Sequence, residues 1–102
     1  MAIMKEYSND KTTCKVTFTL PREMAEQFDE VAVVGDFNNW DPKANMFVLK
    51  ENGERSVSVE VEANNEYQFR YFGNGNVWLN ESEADKTVPT PYGDSQNSII
   101  VI

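Results

Sequence analysis

Val31-Ala32-Val33-Val34-Gly35-Asp36-Phe37-Asn38-Asn39-Trp40 is the stretch that decides how this chain is read, because an apolar run of β type ends at a glycine and gives way to a polar loop carrying a tryptophan. Val31, Val33 and Val34 are β-branched and suit a buried strand. Gly35 permits a sharp exit from it, and Asp36, Asn38 and Asn39 have side chains that hydrogen-bond the backbone of their own turn. Asp41-Pro42 then ends the segment. The expectation is a sheet strand followed by a loop that presents an indole.

Working outward, residues 13–20 alternate, with Cys14, Val16, Phe18 and Leu20 on one face and Thr13, Lys15, Thr17 and Thr19 on the other, as in a half-buried strand. Cys14 falls on the apolar face and reads as a small core residue. Pro21 to Phe28 has room for one helical turn between this strand and Val31–Gly35. Phe47-Val48-Leu49 reads as a short strand, Asn52-Gly53 as a tight hairpin turn, and Ser56 to Glu62 as a strand of period two. Asn64-Asn65 turns the chain into Tyr67–Phe72, where Tyr67, Phe69 and Tyr71 face one way and Gln68, Arg70 and Phe72 the other. Gly73 to Asn76 makes a further turn into Val77-Trp78-Leu79. Residues 80–96, punctuated by Pro89, Pro91 and Gly93, read as a loop leading to a last strand, Ser98 to Ile102, whose removal is expected to unfold the domain. Short strands, frequent turn signals and no long helical period point to an all-β antiparallel sandwich.

A chain of 102 residues is one domain, with no room for a second folded unit or a catalytic barrel. Its 17 acidic and 9 basic residues give a net charge of −8, which repels phosphate backbones and anionic headgroups and argues against nucleic-acid or membrane partners. Neutral ligands are indifferent to that field. No stretch is apolar enough for a signal peptide or a membrane span, and a single cysteine makes no internal disulfide, so a cytoplasmic location is expected.

The chain has no histidine, which excludes Ser-His-Asp and Cys-His catalysis and histidine metal ligation. Gly73-Asn74-Gly75 lacks the lysine-serine pair and following helix of a phosphate loop. Glu81, Glu83 and Asp85 do not match calcium-loop spacing and read as solvated acids of a turn, so no metal and no cofactor are expected. Glycoside hydrolysis needs two carboxylates, and an acidic chain offers many without singling out a pair. Sugar binding fits better. A pyranose has an apolar face of C–H groups and a rim of hydroxyls, so its receptor needs flat aromatic platforms beside hydrogen-bonding groups. Trp40 and Trp78, in or next to polar loops, supply platforms, and Arg70 and Asn97 supply hydrogen-bonding groups. Each has a structural alternative: the indoles can pack under loops, Arg70 can pair with Glu60 or Glu62, and Asn97 can hydrogen-bond loop backbone.

The opening stretch resembles the signature strand of the glycogen-binding and isoamylase amino-terminal domains, carbohydrate-binding module family 48, in which Val-x-Val-x-Gly-x-Phe-Asn-x-Trp recurs. The likeness continues in order through Tyr67-Gln68-Phe69-Arg70-Tyr71, Val77-Trp78-Leu79-Asn80, Ala84-Asp85 and the segment from Pro91 to Ile100. It covers residues 12–102, leaves 1–11 as an amino-terminal extension, and is greatest to short, stand-alone bacterial versions of the domain. The resemblance implies an immunoglobulin-like, early-set antiparallel β-sandwich. It further implies a non-catalytic module for α-1,4-linked glucan, a glycogen or starch-like polymer, with Trp40, Trp78, Arg70 and Asn97 at the positions of the family's glucan site. Where kinase-associated members carry a lysine this chain has Arg70, a planar fork in place of a point charge. Where they project a leucine, Gly93 or Tyr92 falls nearest, which makes Tyr92 a candidate third aromatic contact. The alternative expectation is a sandwich that binds no sugar and docks to a glucan-metabolising enzyme or to itself.

Overall fold

The computed structural model describes residues 2–90 and 96–102. Two antiparallel sheets form an all-β, immunoglobulin-like sandwich, and the alternation of the sequence decides which face of each strand enters it. The first sheet has the order β1-β2-β5-β4, with β1 Ala2–Tyr7, β2 Thr13–Leu20, β4 Val48–Leu49 and β5 Arg55–Glu62. In the second, β3 Val31–Gly35, β6 Glu66–Gly73, β9 Gln96–Val101 and β8 Lys86–Pro89 follow one another, and β7 Val77–Leu79 pairs with β6. A single helical turn, α1 Arg22–Ala25, links β2 to β3 and buries Ala25.

Between the sheets, Cys14, Val16, Phe18 and Leu20 of β2 meet Val31, Val33, Phe69, Tyr71 and Ile100, all fully buried. Phe18 is central, its ring centroid 5.1 Å from that of Phe69 and 6.0 Å from that of Tyr71. Cys14 is thus a core residue, as its place in the alternation implies.

The two sides of the sandwich close differently. On one, the segment after the tryptophan loop crosses between sheets: the Val33 N–H donates to Asn45 and the Phe47 N–H to Val31, at 3.0 and 2.8 Å, before Val48 and Leu49 join β5. On the other, Lys5 of edge strand β1 reaches across the gap and donates to Asp85 at 2.7 Å and to the Val101 carbonyl at 2.9 Å, while Asp85 also accepts the Val101 N–H at 2.7 Å. Burial acts to raise the Asp85 carboxyl pKa, but the bonds from Lys5 and Val101, with the charges of Lys5 and Lys86, hold it below the ordinary value. A carboxyl depressed on folding contributes stability that is present above its unfolded pKa and is lost as pH falls through the folded one. Asp85→Asn is therefore expected to flatten the loss of stability below about pH 4, in denaturant titrations at pH 2–7. An acid limb identical to the wild type would remove this clamp from the account.

Two strands depart from the sequence reading. Residues 2–7, within the segment expected to be an extension, form β1, which pairs with Cys14 to Thr19 of β2 and packs Ile3 on the core. Residues 86–89, read as loop because of Pro89, form β8, where the proline sits at the strand's last position and removes no interior ladder bond. The turn at 73–76 is as expected, with Asn74 and Gly75 both at positive φ, 52° and 72°.

Candidate functional site

The candidate side chains Trp78, Arg70 and Asn97 lie on the outer face of the second sheet, and the register explains why. Phe69 and Tyr71 point inward, so Gln68, Arg70 and Phe72 point outward. Strand β3 borders one edge of β6 over Phe69–Gly73, so β9, paired at Glu66–Phe69, and β7, paired at Tyr71–Gly73, lie end to end along the other edge. Phe72 is paired with Trp78, and Asn97 precedes the Ser98 that pairs with Phe69, which places it level with Arg70. Trp78, Arg70 and Asn97 are thereby brought to one patch.

Trp78 is 46 % exposed, with its ring 4.4 Å from Phe72 and the Arg70 guanidinium carbon 5.3 Å from the indole centroid. Such a cation–π contact contributes about 0.5–1 kcal/mol at an exposed site and restricts the ring. Arg70 does not pair with Glu60 or Glu62: those acids lie on β5 of the other sheet, opposite Lys15 and Thr13. Its Nε is buried without a hydrogen-bond partner among the described residues. Asn97 donates to the Gln68 side-chain oxygen at 3.0 Å, a side-chain contact in place of the loop backbone.

Trp40 follows the end of β3. After Gly35 the chain makes a 3-10 turn, Asp36–Asn38, and both Asn39 and Trp40 then adopt left-handed backbone, φ 57° and 58°. For a bulky side chain that conformation is strained by about 1–3 kcal/mol and persists only where the surroundings over-determine it. They do. The Trp40 N–H donates to the Gly35 carbonyl at 2.9 Å, and Asn38 accepts the Gly35 N–H while donating to Val33 and Asn45. Asp36 completes the anchoring, accepting the Trp40 indole N–H at 3.1 Å on one oxygen and the Gln68 backbone N–H at 2.8 Å on the other. Trp40 is half-buried and tied to β6 through a single carboxylate. Tyr92 lies outside the described residues.

Behind the face sits a buried acid. Glu81, read from sequence as a solvated turn residue, is 2 % exposed. One of its oxygens accepts the Tyr71 hydroxyl at 2.9 Å and the other the Glu83 N–H at 3.2 Å, while its own N–H donates to Ser98 at 3.1 Å. It joins the end of β7, which carries Trp78, to the core and to β9, which carries Asn97. Burial foremost, then the charge and hydrogen bond of Glu81 and the charge of Glu83, push the Tyr71 hydroxyl well above the usual tyrosine range. Among the described residues, no group of three or more histidine, cysteine, aspartate or glutamate side chains is placed to hold a metal.

Of the residues that the sequence singles out, Trp78, Arg70 and Asn97 come together on the second sheet, and Trp40 is linked to β6 through Asp36. Nothing in the sequence distinguishes Asp36 from a turn former, whereas the outward position of Phe72, which supports Trp78, is legible in the alternation of β6. Compared with protein-family models and with curated proteins, the chain matches none. No helix among the described residues is long and apolar enough to cross a membrane.

Proposed function

We propose that this chain is a non-catalytic, cytoplasmic module that binds α-1,4-linked glucan through the outer face of its second sheet, and so places itself or an associated glucan-metabolising enzyme on glycogen or a starch-like polymer. The observation that carries the reading is the exposed Trp78 ring, braced by Phe72 and Arg70, with Asn97 level with Arg70 and Trp40 linked to β6 through Asp36. Flat rings suit the C–H faces of glucose, and Arg70, Asn97 and Gln68 suit its hydroxyls. If each indole removes roughly 60–100 Å² of apolar area from water, the pair contributes about 3–5 kcal/mol before the cost of association. Hydrogen bonds exchanged with water add little, which sets the expected Kd at about 10 μM to 1 mM for a short oligosaccharide. Retention on a polymer then comes from its many repeated sites.

Native affinity electrophoresis in gels with and without glycogen tests this. The wild type is expected to be retarded by glycogen, and Trp40→Ala/Trp78→Ala, shown to be folded by circular dichroism, to migrate as a non-binding control. Absence of wild-type retardation at high glycogen would overturn the proposal. The rival reading, a protein-docking sandwich, draws on Val48 and Leu49, 65 % and 59 % exposed on the short edge strand β4, and predicts self-association in sizing chromatography with no response to sugar.

A further inference from the structure

We infer that the glucan face continues into a second subsite, a trough of about 510 Å³ beside Phe72 that takes the following glucose units of the same chain; the inference rests on the reading above. The trough is lined by Ala32, Phe72, Pro42, Met46 and Gly75 together with the exposed, charged Glu30 and Lys43. Three features favour a neutral sugar chain as its occupant. First, it is continuous with the aromatic patch. Ala32, Phe72 and Trp78 lie in one row across neighbouring strands, so Phe72 meets the Trp78 ring on one side and the trough on the other. The loop leaving Trp40 continues into the lining, and Met46 is held there by a backbone bridge to Ala32.

Second, the chemistry of the trough repeats that of the patch. An apolar lining suits the C–H face of a pyranose, while Glu30 offers an acceptor and Lys43 a donor to hydroxyls. Third, these two charges are of opposite sign, so the trough has no net field that would select an ion. Neither Glu30 nor Lys43 takes part in an ion pair among the described residues. The volume lies within the roughly 300–1,000 Å³ of small-ligand sites, more than one sugar ring requires.

Two contiguous subsites make affinity depend on chain length more steeply than one. Maltoheptaose holds about five overlapping trisaccharide frames, so a single short site gains only about fivefold over maltotriose by counting. With the trough engaged, titration calorimetry on the full chain is expected to give the wild type a gain of about 30-fold or more. In Lys43→Ala/Met46→Ala the gain should fall to about fivefold with the maltotriose Kd unchanged. Glu30→Ala/Lys43→Ala, which alters only exposed side chains, keeps the test valid should the loss of Met46 perturb folding. An unchanged length dependence in both variants, with the wild type binding both sugars, would overturn the subsite and leave the glucan reading standing. A wild type that binds neither sugar would overturn both. Loss of maltotriose and maltoheptaose binding in equal proportion would also reject the trough as a separate subsite.

Discussion

Gly35→Ala is expected to lower stability by about 3 kcal/mol, at or beyond the upper end of ordinary overpacking, and to lower Tm by about 10 °C or more. The cause is space. The backbone at Gly35 is extended, φ −176°, which any residue adopts. A methyl group there would lie 2.5 Å from the Gln68 carbonyl oxygen, 2.9 Å from the Phe69 Cβ and 3.0 Å from the Phe37 ring. The first of these is sheet backbone and cannot swing aside. Nor can Gly35 move freely, because its N–H is bonded to Asn38 and its carbonyl to the Trp40 N–H, so relief of the clash would displace the loop that aims the indole. Thermal unfolding followed by circular dichroism measures the loss, and glycogen retardation of the folded fraction should weaken as well. Gly75 is the contrast: nothing lies within 4 Å of an added methyl, so Gly75→Asn meets no clash, and its cost, about 1 kcal/mol, is only that of a side chain at φ +72°, which asparagine tolerates best. A Gly35→Ala protein as stable as the Gly75 variant would mean that β3 and β6 approach less closely than described.

The same glycine shows what the sequence disclosed and what it withheld. Its place at the end of a valine run marked a strand exit correctly, on grounds of backbone freedom, whereas the structure needs it because β3 and β6 approach too closely there for a side chain. Local pattern carries most of this fold. Period-two alternation in β2, β5 and β6 told which residues face the core, and the same parity put Gln68, Arg70 and Phe72 on the outside. Strand β1 was missed because its edge position leaves Met4 and Tyr7 exposed, so burial never imposes a clean pattern on it. Strand β8 is hidden in the sequence because Pro89 reads as a breaker, whereas at the strand's last position it costs no interior ladder bond.

Long-range pairing was less legible. Nothing local distinguishes Asp36, bonded to Gln68 from across the sheet, from the turn-forming Asn38 beside it. Arg70 had acidic neighbours in sequence at Glu60 and Glu62, yet the connection after β5 changes sheets and carries them to the far side of the molecule. The candidate site was therefore readable as a set of residue types, while the means by which they are held emerged only from topology.

Replacing Glu81 by alanine should also cost about 3 kcal/mol, by a different route. The substitution removes the acceptor of the Tyr71 hydroxyl, which is enclosed by the core and costs about 1–3 kcal/mol when left without a partner, and that of the part-buried Glu83 N–H, which adds a smaller loss. Glu81→Gln should cost less, about 1–2 kcal/mol, because the amide oxygen still accepts from Tyr71 while the amide nitrogen faces the Glu83 N–H donor to donor. The effect should extend to sugar binding. Glu81 lies three residues beyond Trp78, so losing its side-chain bonds loosens the segment that follows one of the proposed contacts, while its backbone N–H bond to Ser98, beside Asn97, is retained. Tyr71→Phe isolates one bond of the network and supplies a signature in pH. A tyrosine whose pKa is raised on folding keeps its proton better in the native state, so its contribution is fully present below the unfolded value of 10.0 and declines as pH rises above it. Denaturant titrations from pH 8 to 11.5 should therefore show wild-type stability falling more steeply than that of Tyr71→Phe above pH 10, although the variant starts lower by about 1–3 kcal/mol. Parallel alkaline limbs, or a Glu81→Ala protein within about 0.5 kcal/mol of the wild type, would show that the acid is hydrated and that the face it backs is held by the strand ladders alone.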